Sequence, residues 1–113
     1  MTHTDKTRWE RMRTDETRSV EKTLRDAGFG QVDAYRYNSA SIRIRVVDAK
    51  FEGLSPEKRD EMVEPHLEHL PESTQADILN LFTFAPSELK QSPETFREYI
   101  KTIEFDDPSP SML

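Results

Sequence analysis

The sequence predicts an α+β domain with element order α-β-β-α-β-α, a three-stranded mixed sheet with helices packed on it. Three observations carry that reading. Residues Ser41 to Asp48 alternate apolar and charged, with Ile42, Ile44 and Val46 on one face and Arg43 and Arg45 on the other, the period of a half-buried strand. A helical stripe bounded by Ser55-Pro56 and Pro71 follows it, and an apolar run from Ile78 to Phe84 comes next. A helix between two strands favours a parallel, right-handed crossover.

The first helix is expected from Thr17 to Ala27, because Val20, Leu24 and Ala27 recur at i, i+4 and i+7. Gly28 closes it, since glycine readily takes the left-handed conformation. Val32 to Asn38 is rich in Val and Tyr, as strands are. The short polar link Asn38-Ser39-Ala40 predicts an antiparallel hairpin with the strand that follows. Ser55 reads as an N-cap and Pro56 as a first-turn residue of the second helix. That helix carries Met62, Val63, His66, Leu67 and Leu70 on one face and Glu57, Asp60, Glu61, Glu64 and Glu68 on the other.

The run Ile78 to Phe84 places Leu79 and Leu81 on one side and Ile78, Phe82 and Phe84 on the other. It therefore reads as covered on both faces, either central or overlaid by another element. A last helix fits Pro93 to Ile103, with Ser92 as cap and Phe96, Tyr99, Ile100 and Ile103 as an inward stripe completing the core. Residues 1 to 17 are polar and charge-mixed and read as a flexible tail, although Trp9 and Met12 could form a short amphipathic turn. Residues 18 to 103 form the domain, and residues 104 to 113 a disordered tail. No internal repeat is present.

Composition narrows the function classes. A chain of 113 residues fits one domain. Apolar and charged residues each make up 34%, so a small core is surrounded by charged helix faces. The net charge of −6 opposes a large phosphate-binding surface, which needs Lys and Arg to displace counterions. Nucleic acid is therefore a disfavoured partner, and so is an anionic membrane surface. Between Glu52 and Asp77 eight acidic residues face two basic ones, Lys58 and Arg59. With no cysteine, the chain supplies no disulfide, no thiolate nucleophile and no thiolate ligand. No run approaches the ~20 apolar residues of a membrane span, and the first residues lack a signal peptide's apolar core. The expectation is a soluble, cytoplasmic protein. No nucleophile–base pair, Gly-x-Ser-x-Gly elbow or phosphate-cradling loop is present, so no enzyme is expected.

Tyr35-Arg36-Tyr37-Asn38, Phe51-Glu52-Gly53-Leu54-Ser55, Arg59 and Thr83-Phe84-Ala85-Pro86-Ser87-Glu88 resemble the BolA-like family in order and spacing, over residues 18 to 89. The resemblance implies the same element order and a fold similar to class II KH domains. It also implies, for typical members, a [2Fe–2S] cluster shared with a monothiol glutaredoxin through a histidine at the start of the third strand. Here that position is Asp77, and the histidine that members carry after the arginine of the second helix is Asp60. A charged carboxylate is a poorer ligand than imidazole for such a centre. The Gly-x-x-Gly loop by which KH domains clamp nucleotides is absent.

Two groups of candidate site residues result. His66 and His69, three apart on one helix, could grip a metal ion, and Asp77 could join as a ligand; Asp60 and Asp77 could also meet around a hard cation. Otherwise each is an ordinary helix-face or strand-end residue. Arg36, Arg43, Arg45 and Arg59 could form a partner-binding surface for a phosphate or an acidic protein. The alternative is cross-strand pairing with Asp33 or with tail carboxylates, and internal pairing if the last helix covers that sheet face. The leading expectation is a non-enzymatic binding or adaptor module acting through protein contacts, without a cofactor. The alternatives are a monothiol-glutaredoxin partner sharing a [2Fe–2S] cluster through His66 or Asp77, and a nucleic-acid-binding regulator.

Overall fold

The computed structural model describes residues 8 to 112. Among the described residues there are four helices and three strands: α1 (Asp15–Asp26), β1 (Gln31–Asn38), β2 (Ser41–Val47), α2 (Pro56–Leu67), α3 (Glu72–Asp77), β3 (Ile78–Phe84) and α4 (Phe96–Asp106). Single 3-10 turns occupy Trp9–Met12, Ala49–Phe51, Pro86–Leu89 and Pro93–Thr95. The sheet order is β1-β2-β3, with β1 antiparallel and β3 parallel to β2, as the hairpin link and the helical crossover predict. No helix among the described residues is long and apolar enough to cross a membrane.

Helix α1 begins two residues earlier than expected. Thr14 and Thr17 cap each other: Thr17 N donates to Thr14 Oγ1 at 3.2 Å and Thr14 N donates to Thr17 Oγ1 at 2.8 Å, which satisfies two orphan amides of the first turn. Gly28, at φ +104°, ends the helix as expected. Helix α2 is capped by Ser55 as predicted but stops at Leu67, short of Leu70. Pro65 lies in its last turn and leaves the Glu61 carbonyl without its intrahelical donor, and beyond it the His69 and Leu70 amides bond His66 and Leu67 in tighter turns. Pro71 does not stop that helix, which ends four residues earlier; it sits at the N-cap of α3, which the sequence pattern did not show.

One face of the sheet packs on α1 and α2. Val20, Leu24, Val32, Ile42, Ile44, Val46, Phe51 and Val63 are fully enclosed there. The other face is not open. Trp9, Tyr35 and Phe105 form a second cluster on it, with Tyr35 and Phe105 ring centroids 4.7 Å apart and Trp9 5.6 Å from Phe105. This corrects both expected tails. Residues 1 to 7 lie outside the described residues, but Trp9 is only 6% exposed because its indole covers the second face. Phe105, placed in the C-terminal tail by its position, is completely buried. Ser109 then ties the chain back: its amide and hydroxyl donate to Glu104 and its carbonyl accepts from Tyr37 Oη at 2.7 Å.

The last helix is shifted and turned relative to expectation. It starts at Phe96, because Pro93–Thr95 is a 3-10 turn, and it reaches Asp106. Its apolar stripe does not complete the core: Phe96, Ile100 and Ile103 are each 44–50% exposed.

Strand β3 is an edge strand, not a central one. Its register shifts beside β2, where Ile42 pairs with Ile78 but Arg43 with Asn80. Leu79 is the extra residue, a bulge that reverses the alternation after it. Ile78 and Leu81 consequently share the first core, while Phe82 packs on the second and Leu79 is left 63% exposed.

Candidate functional site

The arginines of β1 and β2 are where the sequence expected a binding patch, and each is engaged internally. Arg45 projects between β1 and α4. Its Nη2 lies 2.9 Å from Asp33 Oδ2 and its Nη1 2.7 Å from Asp106 Oδ1, with the guanidinium 4.4 Å from the Phe105 ring centroid. Arg43 stacks 3.7 Å over Tyr37 and donates to Glu104 at 3.0 Å and to Tyr35 Oη at 3.2 Å. Its buried Nε has no hydrogen-bond partner among the described residues. Arg36 bridges Glu16 at 2.8 Å and Asp77 at 3.0 Å. For Arg43 and Arg45 the covering of their sheet face by α4 and the Trp9 turn forces the pairing, since a desolvated guanidinium needs a carboxylate; Arg36 lies on the opposite face, across from Ile42, where α1 supplies Glu16.

Arg59, on α2, makes the tightest set. It grips Glu88 with both terminal nitrogens, at 2.8 and 2.9 Å, and donates to the Leu54 carbonyl and the Thr83 carbonyl at 3.0 Å each. The guanidinium holds the Glu88 carboxyl below its ordinary range, helped by the Ala85 amide against the opposing effect of burial. The four arginines are thus fold-forming residues, with no free basic surface between them.

The metal candidates are not assembled. His66 packs edge-on against Phe29, with ring centroids 5.8 Å apart, and His69 is exposed. Asp77 is occupied by Arg36. Asp60 and Asp77 sit in different surroundings. Burial pushes the Asp60 carboxyl up, and the neighbouring Glu64 and Glu57 carboxylates push it further; Asp77 is not part of that group. Among the described residues no three His, Asp or Glu side chains are grouped to hold a metal ion.

What the structure does open is the free edge of β3. Beyond sheet pairing, its main chain is bonded at its two ends: the Ile78 amide donates to the Gln75 carbonyl, Arg59 donates to the Thr83 carbonyl and the Asp48 amide to the Phe84 carbonyl. Leu79 and Asn80 are exposed along it. A groove of about 570 Å³ lies between this edge and α2, with Leu67, Ile78 and Leu81 as its apolar lining and Asp60, Glu64 and Glu68 as its acidic wall. A smaller groove of about 290 Å³ lies toward the strand's C-terminal end, between Leu54, Pro56 and Arg59 at the start of α2 and Phe82, Glu98 and Lys101. Helix α2 runs antiparallel beside β3. Arg59 at its start reaches Thr83 near the strand's end, and the Glu68 carbonyl at its end accepts from Gln75, just before the strand begins.

The acidic wall was visible in the sequence as residues four apart on one helix face. The open strand beside it was not, because Ile78 to Phe84 reads as a covered strand until the Leu79 bulge and the edge position are known. Comparison with protein-family models, with curated proteins and with solved structures finds no match to this chain.

Proposed function

We propose that the protein is a non-enzymatic, BolA-like binding module that acts through protein contacts, with the edge of β3 as its docking edge. The observation that carries this is the strand itself: an edge strand with Leu79 and Asn80 exposed along it and two grooves beside it. A sheet edge of this kind is a template for another strand. Most edge strands are blunted by a lysine, a proline or a covering element; β3 has neither residue within Ile78–Phe84, and among the described residues the edge is blunted by the bulge at Leu79 and by Arg59 on the Thr83 carbonyl near its end.

A photo-crosslinking residue at position 79, with a control at exposed Lys22 on α1, tests the proposal in cells. Specific protein adducts from position 79 and none from position 22 are expected. Equal adducts from both positions, or nucleic acid captured at position 79, would overturn it.

The iron–sulfur reading makes a different prediction. If Asp77 or His66 served as a cluster ligand, mixing the protein anaerobically with a monothiol glutaredoxin carrying its [2Fe–2S] cluster would shift the visible spectrum. With Asp77 held by Arg36 and His66 packed on Phe29, the spectrum is expected to stay unchanged and no complex to appear on a sizing column. A shift abolished by Asp77→Ala or His66→Ala would replace the protein-contact reading with the iron–sulfur one.

A further inference from the structure

We propose that the open edge of β3 takes an extended, basic segment of a partner protein as a fourth strand, with a lysine or arginine at every second residue facing Asp60, Glu64 and Glu68. This rests on the reading of that edge as a docking site and adds the chemistry of the occupant.

The first argument is spacing. Asp60, Glu64 and Glu68 are four apart on α2, which runs antiparallel beside β3. Four helical residues rise about 6 Å, and two strand residues advance about 7 Å. A strand added to β3 lies along the helix, so its alternate side chains pass the three carboxylates nearly in step. The second argument is the difference between the two sides of the strand. The groove on the α2 side has an acidic wall. On the other side Phe82 contributes apolar surface beside Glu98 and Lys101. Side chains of an added strand alternate between these two environments, so the matching pattern is basic then apolar, repeated.

Charge also separates this occupant from others. A second copy of the chain pairing β3 to β3 would bring together two molecules of net charge −6 at their acidic walls. A nucleic acid would set its phosphates against the same carboxylates. Burial raises the Asp60 carboxyl and Glu64 and Glu57 raise it further; that repulsion is relieved by cations from a partner and by neither alternative.

The test uses the full chain, isotope-labelled for NMR, and three synthetic peptides of about eight residues. One alternates Lys with Val and Thr. The second has the same composition with its lysines in one block. The third replaces each Lys of the first by Glu. The alternating peptide is expected to shift and protect amides between Asn80 and Thr83, and to bind more tightly than both others. N-methylation of alternate peptide bonds in it should abolish binding, because strand addition needs the main chain. The double variant Glu64→Gln, Glu68→Gln should weaken binding about fivefold; both side chains are exposed, so the fold is retained, and circular dichroism checks this.

Equal binding of the blocked peptide would overturn the inference, since charge alone would then suffice. So would shifts mapping away from β3, a single-stranded oligonucleotide shifting the same amides, or a dimer formed through β3. If instead the Glu peptide fills the edge and the Lys peptide does not, this inference fails while the docking edge stands. If no peptide reaches β3 and position 79 captures no protein, both fail.

Discussion

Arg59 joins three segments: the Leu54 carbonyl just before α2, the Thr83 carbonyl in β3 and the Glu88 carboxylate in the turn after it. A planar guanidinium can serve all three at once, and an ammonium cannot. Its side chain is 6% exposed and that of Glu88 23%, so removing one partner strands a desolvated charge. Glu88→Gln should destabilise the protein by about 3 kcal/mol, read from the urea midpoint at constant slope, and Arg59→Lys should not preserve the wild-type value. Lys58 and Glu61, whose side chains are both 68% exposed and 3.9 Å apart, provide the contrast: breaking that pair should leave the midpoint unchanged within about 0.5 kcal/mol. The sequence marked Arg59 and Glu88 as notable without showing that they meet. Their 29-residue separation is closed only by the crossover from α2 to β3.

At the scale of elements, α4 is the clearest departure from pattern reading. Apolar period assigns Phe96, Tyr99, Ile100 and Ile103 to the inner face, whereas the face that packs carries Thr102, Phe105 and Asp106. The reason lies in what it packs on. That side of the sheet presents Arg43 and Arg45, so the covering helix must bring hydroxyl and carboxylate groups: Thr102 and Asp106 bond Arg45, and Glu104 bonds Arg43. A hydrophobic period cannot find a face selected for ion pairing. Phe105→Ala should therefore cost about 4 kcal/mol, while Ile100→Ala should stay within about 0.5 kcal/mol. Denaturant unfolding of the two variants checks the assignment, and comparable losses would restore the stripe as core. β3 shows the same limit differently. Its residues alternate correctly for a strand, but a one-residue bulge moves Ile78 to the opposite side, as any register slip does.

The whole molecule should lose stability in acid. Glu88 is held below its ordinary value of 4.5 by Arg59. Burial would raise Asp48 and Glu104, yet both lie below their ordinary values. The Lys50 and Gly30 amides lower Asp48, and Ser109 and Arg43 lower Glu104. A carboxyl depressed in the fold contributes stability that is present above its unfolded pKa and lost as pH falls through the folded one. Asp60, raised by burial and by Glu64 and Glu57, acts in the opposite sense, so it opposes folding at neutral pH and ceases to as it protonates. With three groups against one, the urea midpoint should be flat near neutrality and decline below about pH 4.5. The decline should be shallower in Glu88→Gln, and an equal slope in that variant would remove Glu88 from the account.

The sequence alone determined the α-β-β-α-β-α order, short α3 apart, the antiparallel hairpin, the parallel third strand, the Ser55 cap and the Gly28 stop. Each depends on residues within a few positions of one another, where period, capping chemistry and turn preference act directly. Tertiary structure alone decided that β3 is the sheet's edge, that Trp9 and Phe105 close its second face, that α4 turns its apolar stripe outward, and that all four candidate arginines pair internally. These outcomes depend on which surfaces meet across the molecule. An arginine on a strand has the same sequence signature whether it faces water or a helix bearing aspartate, and only the burial of that face settles its partner.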